Sequence, residues 1–98
     1  MSTTNTLTWD RSPESDVAKY NIYRKNGSAP AKPGDRLAST PQIATTPVTF
    51  VDTVTADGDW FYAVTAVDTS NNESALSAVK DKLVDSVPPT APTGLTVA

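Results

Sequence analysis

Trp60-Phe61-Tyr62-Ala63-Val64-Thr65-Ala66-Val67 decides how this chain is read. Aromatic, β-branched and small residues follow one another without a charge. Turn-forming clusters bound them on both sides, Ala56-Asp57-Gly58-Asp59 before and Asp68-Thr69-Ser70-Asn71-Asn72 after. That is the signature of a buried strand between two reversals. Successive strand side chains point to opposite faces, so Trp60, Tyr62, Val64 and Ala66 are predicted to face the core together. In the turn that follows, Asn71 or Asn72 is expected in the left-handed region.

Working outward, Thr6-Leu7-Thr8-Trp9-Asp10 alternates polar and apolar, which predicts a half-buried strand with Leu7 and Trp9 inward. Residues 18–24 alternate again, Tyr20 and Ile22 on one face and Asn21 and Tyr23 on the other. Asn26-Gly27 closes that strand, because the pair readily takes positive φ. Residues 48–52 read as a strand whose inward residue is either Phe50 or Val51. Residues 28–47 carry Pro30, Pro33, Pro41 and Pro47 and leave room for at most one or two short edge strands. Residues 73–84 are predicted as the last full strand. Residues 86–93 form a stiff Pro-rich connector, and Gly94-Leu95-Thr96-Val97-Ala98 alternates as a strand stub. Short strands at this spacing predict a β-sandwich.

Composition agrees. The chain's 98 residues make one small domain. Val dominates the apolar set and fifteen Thr accompany it, both β-branched, whereas there are only two Glu and as many as eight Pro. A net charge of -3 is too low to suggest disorder. With no Cys and no His, disulfides, thiol catalysis, Ser-His pairs and Cys- or His-based metal sites are excluded. The basic residues are scattered, which argues against a nucleic-acid surface or an anionic-membrane patch. No apolar run spans a bilayer, and Met1-Ser2-Thr3-Thr4 does not read as a signal peptide.

Asp57 and Asp59 flank Gly58, and Asp10, Glu14, Asp16 and Asp68 fall in or beside loops. Both sets are expected to shape turns and bond loop backbone rather than to hold Ca²⁺, which wants more oxygen ligands at regular spacing. Two Glu in loops or at strand starts offer no opposed carboxylates across a cleft, so neither catalysis nor a cofactor or metal is expected. The exposed aromatics expected on neighbouring strands are Tyr23 and Phe61. They would form either a sugar- or partner-binding platform or a cross-strand pair that stabilises the sheet.

Four motifs stand in order: Leu7-Thr8-Trp9, then Val17-Ala18-Lys19-Tyr20-Asn21-Ile22-Tyr23-Arg24, then Tyr62-Ala63-Val64-Thr65-Ala66-Val67-Asp68, then Asn72-Glu73-Ser74. In this the chain resembles the fibronectin type III family, and in particular the bacterial modules found in tandem within secreted polysaccharide-degrading enzymes. The resemblance covers nearly the whole chain. It implies an immunoglobulin-like sandwich of about seven strands, with Trp9 on strand B, Tyr20 and Ile22 on strand C, residues 60–68 as strand F and Ser74 opening strand G. It further implies a non-catalytic spacer or interaction module of a bacterial extracellular multidomain protein. Its partners would be the neighbouring domains of the same polypeptide, or else carbohydrate or a protein. Trp60 stands where the family usually has a corner tyrosine. An indole donates one hydrogen bond and accepts none, so that contact is expected to be reshaped. Gly34-Asp35-Arg36 is an Arg-Gly-Asp triplet reversed and is not read as an integrin site.

The order departs from the family in one respect. Family members open with a segment like Pro88-Pro89-Thr90-Ala91-Pro92-Thr93-Gly94-Leu95-Thr96-Val97, which here comes last. Residues 1–85 would therefore supply strands B to G, and residues 86–98 a linker plus the strand-A-like segment Gly94, Leu95, Thr96 and Val97. Three arrangements are open: that segment belongs to a following module, fills its own molecule's strand-A slot in cis, or fills a neighbour's by swapping. The products would be a monomer or a strand-swapped oligomer.

Overall fold

The structure is a computed structural model, described here for residues 3–85 and 91–97. Six strands form two antiparallel sheets, and the described residues contain no helix. They are β1 (Thr3–Trp9), β2 (Val17–Asn26), β3 (Arg36–Pro41), β4 (Val48–Val54), β5 (Gly58–Asp68) and β6 (Lys80–Val84). The small sheet pairs β1 with β4, and the larger runs β3-β2-β5-β6. The all-β expectation holds, and the two sheets make a β-sandwich.

The stretch quoted first lies inside β5, the longest strand, which is paired with β2 on one side and β6 on the other. Its alternation produces two covered faces rather than one. Tyr62 faces the small sheet, while Ala63, Thr65 and Val67 are buried on the opposite face. β2 behaves alike: Tyr20 and Ile22 point between the sheets, and Asn21 and Tyr23 are buried behind them. In β4 the open choice resolves by phase. Val48, Asp52 and Val54 are buried and Phe50 shares their phase half-buried, whereas Val51 is 55 % exposed.

Two ends of the sandwich differ in chemistry. Trp9 pairs with Val48 at one end, where Val17, Tyr20 and Val48 form an apolar cluster closed by Trp9 and Ala66. Trp9 meets Tyr20 edge to face, centroids 5.5 Å apart and planes at 70°. Such a pair contributes about 1 kcal/mol beyond the area it buries. At the other end Thr3 pairs with Val54, and Gly58 pairs with Val84. Only residues 55–57 join β4 to β5, so β6 leaves the sandwich at the end where β1 enters it.

Turns follow their residues. Gly27 takes φ 90° after β2, and Asn71 takes φ 65° after β5. Asp68 accepts the backbone N–H groups of Ser70 and Asn72, which holds the second reversal. β3 is a short edge strand ending at Pro41, where a missing N–H is tolerated.

The last strand is shorter than expected. Residues 73–79 form no ladder beyond an isolated bridge between Val67 and Glu73. The serines account for this. The Ala66 N–H donates to Ser74 Oγ and the Val64 N–H to Ser77 Oγ, while the Ser74 and Ser77 N–H groups return to the Ala66 and Val64 carbonyls. Serine hydroxyls replace main-chain acceptors, and the segment runs alongside β5 without becoming a strand.

Candidate functional site

Tyr23 and Phe61, expected on an exposed face as either a binding platform or a cross-strand pair, are not exposed together. Tyr23 is 0 % exposed and Phe61 is half-buried, so the two rings do not present a flat surface together. The reason is Glu73, whose Oε2 accepts hydrogen bonds from the Tyr23 hydroxyl, from Thr65 Oγ1 at 2.6 Å and from Asn21 Nδ2 at 3.1 Å. Lys32 reaches over the same region, its Nζ donating to the Ser74 carbonyl at 2.9 Å. The segment after β5 is thus pinned onto the outer face of β2 and β5. Burial by itself raises the Glu73 pKa, but the bonds from Thr65, Tyr23 and Asn21 and the Lys32 charge more than offset it. Its carboxyl is held below the ordinary range. Burial and the adjacent carboxylate push the Tyr23 hydroxyl upward.

A second polar cluster lies between the sheets. Asp52 on β4 accepts from Arg24 Nη1 on β2, at 2.9 and 3.0 Å to its two oxygens, and from the Tyr62 hydroxyl on β5 at 2.6 Å. Asn5 Nδ2 on β1 donates to that hydroxyl at 2.9 Å. The Arg24 guanidinium also sits 4.8 Å from the Trp60 ring centroid, a cation–π contact. Burial is the main reason the Tyr62 hydroxyl is pushed up to about 12. The Trp60 indole N–H donates to the Ala56 carbonyl at 3.1 Å. The indole thus ties the start of β5 to the turn that precedes it, with the ring as donor.

The carboxylates singled out earlier do not assemble. Among the described residues no three Asp or Glu side chains approach closely enough to hold one cation. Asp68 works in its turn, where the bonds from Asn72 and Ser70 keep its pKa below the usual value. Asp59 is held above the usual range, first by a hydrogen bond shared with the Asp81 carboxyl, then by desolvation and like charge. No helix among the described residues is long and apolar enough to cross a membrane.

A groove of about 590 Å³ lies beside β1. One side is residues 4–9 of β1, the floor is residues 62–64 of β5, and the far wall is Ser77, Ala78 and residues 80–82. Among the described residues β1 pairs only with β4, so its groove-side edge carries no ladder. Two buried polar atoms of β1 also have no hydrogen-bond partner there, Asn5 Oδ1 and Trp9 Nε1, and both residues line the groove. Leu7 and Trp9, predicted inward, do face inward but stay half-buried because the groove is open.

Gly94, Leu95, Thr96 and Val97 lie outside any strand. Leu95 is 89 % and Val97 91 % exposed, and Gly94 takes φ 79°. The structure thus does not seat this segment in its own groove. Most of the connector, residues 86–90, lies outside the described residues.

No protein-family model matches this chain, and neither a curated protein nor a solved structure shows significant similarity to it.

Proposed function

We propose that this chain is a non-catalytic module of the fibronectin type III kind, acting as a spacer or interaction unit in a bacterial extracellular multidomain protein. A polysaccharide-degrading enzyme or a surface protein is the natural setting. The observation that carries the reading is the agreement between motif order and sheet order. Leu7-Thr8-Trp9 lies on β1 of the small sheet, and the Tyr20-Ile22 and Tyr62-Val64-Ala66 motifs form the paired centre of the larger sheet. A β1-β4 sheet facing a β3-β2-β5-β6 sheet is the arrangement expected of strands B-E against C′-C-F-G. Mechanism is then geometric: a folded unit on a Pro-rich connector fixes the separation and orientation of what it joins.

An oligosaccharide titration followed by amide NMR, alongside a reducing-sugar release assay, tests this. Neither shifts nor released sugar are expected. Released sugar would sink the non-catalytic assignment, and saturable shifts on the outer face of β2 and β5 would sink the spacer assignment.

Binding is the second reading, and one observation turns it from sugar towards protein. The open feature is a backbone edge beside a groove, which recognises an extended peptide, whereas Tyr23, one of the two rings a sugar would stack on, is covered.

A further inference from the structure

We propose that the groove beside β1 is an acceptor site for an extended strand, and that its occupant is the Gly94-Leu95-Thr96-Val97 segment of a second copy of this chain. This goes beyond the spacer reading and is independent of it.

An unpaired edge is a template for another chain's backbone. Among the described residues the groove-side edge of β1 carries no ladder, and the groove follows six consecutive residues of that strand. Six residues of strand extend about 20 Å, enough for the whole of residues 93–97. Buried polar atoms are nearly always paired in native proteins, so Asn5 Oδ1 and Trp9 Nε1 mark this lining as incomplete.

The segment has matching chemistry. Leu95 and Val97 are almost wholly exposed, and in an extended strand they would share one uncharged face with Thr96 on the other. Laid antiparallel to β1, Leu95 and Val97 would cover the half-buried side of Leu7 and Trp9. Thr96 would then join Thr4, Thr6 and Thr8 on the solvent face. The Thr ladder on the outer face and the apolar line on the inner face continue without a mismatch in phase.

Direction selects a second copy. β6 leaves the sandwich at the end where β1 enters, heading away from the molecule. An antiparallel strand beside β1 must start from the opposite end, where Trp9 lies. To serve its own groove the connector would reverse at once and travel back along about 23 Å of sandwich. Residues 85–93 span at most roughly 30 Å fully extended. The sequence of this connector is Pro-rich, a composition that favours extended chain over a reversal. Continuing outward into the Trp9 end of another molecule needs no reversal. The contact is head to tail, so it closes into a ring or extends into a chain.

The test compares the wild-type chain with L95D/V97D by sedimentation and light scattering. The series reaches about 1 mM protein, since so small an interface is expected to be weak. Both substituted residues are exposed, so the variant is expected to keep the wild-type circular dichroism and melting. The wild type should associate as concentration rises and the variant should stay monomeric, with at least tenfold weaker association. A synthetic peptide of residues 90–98, added to ¹⁵N-labelled variant, should shift the amides of residues 4–9. A wild type that is monomeric throughout, a variant that associates equally well, or peptide shifts elsewhere would each overturn the proposal. Protection of the β1 amides in a wild type that stays monomeric would place the segment in its own groove, and would overturn it too.

Discussion

Glu73 shows how one side chain sets the character of a face. Its carboxylate gathers three donors from residues at most 3 % exposed, Asn21, Tyr23 and Thr65. Replacing it by Ala leaves those donors without their acceptor, and an unsatisfied buried donor costs about 1–3 kcal/mol. Glu73→Ala is therefore expected to lower unfolding free energy by about 3 kcal/mol, read from urea denaturation at pH 7. The pH dependence has a fixed sign. Because the folded-state pKa is lowered, Glu73 stabilises fully above its unfolded-state value, and that contribution fades as pH falls through the folded value. The difference between wild type and Glu73→Ala should shrink in acid; a difference constant from pH 7 to pH 3 would refute the assignment. Sequence alternation places Tyr23 opposite Ile22, and the structure covers that opposite face instead of leaving it to solvent. Nothing in the local pattern announces that residues 69–79 fold back over that face, because the bonds that bring them there come from 50 residues away.

The strands are not equally secured. β2 and β5 each have a partner on both sides, whereas β1 and β4 have only each other among the described residues. A two-stranded sheet is marginal alone and depends on what it packs against. Amide exchange should accordingly be slowest in β2 and β5 and at least tenfold faster in β1 and β4. Equal protection across all four strands would contradict this. Gly58 illustrates the second constraint. It has φ 153°, and a Cβ there would lie 2.2 Å from the Asn26 side chain. Gly58→Ala is predicted to cost about 1–2 kcal/mol in thermal denaturation, since it adds backbone strain and displaces Asn26 from its bond to the Asp57 carbonyl. The strands themselves were legible wherever alternation was clean, as in β1, β2 and β5. The failure at residues 73–79 has a chemical origin. Periodicity cannot distinguish a serine that joins a ladder from one whose hydroxyl replaces it.

Across the whole molecule, Asp52 ties the sheets together. Its contacts reach β2 and β5 directly and β1 through the Tyr62 hydroxyl. Asn5 shares the inward phase of Leu7 and Trp9, and Arg24 that of Tyr20 and Ile22, but the phase of Asp52 stays open in sequence because Phe50 and Val51 compete for the inward position. Their convergence at one end depends on strand register, which sequence alone does not supply. Asp52→Ala should destabilise by about 3 kcal/mol, the low end for breaking a buried pair, because the Arg24 side chain keeps 25 % of its surface in solvent. Asp52→Leu, which removes the charge but refills the space, is expected to cost less. Equal losses would show that the lost pairing, not the emptied space, carries the whole effect. The groove was legible only indirectly, from a strand-like segment at the far end of the chain. Its floor and walls are assembled from three separate parts of the sequence.

The two tryptophans have an optical consequence. Trp9 lies against Tyr20 in the apolar cluster, and Trp60 lies under the Arg24 guanidinium at the polar end. Each of the molecule's contrasting ends thus carries its own intrinsic fluorophore, and Trp9 borders the groove as well. Trp9→Phe and Trp60→Phe variants would turn the emission spectrum into a position-resolved signal. One would watch the ion pair open, and the other would watch a strand arrive.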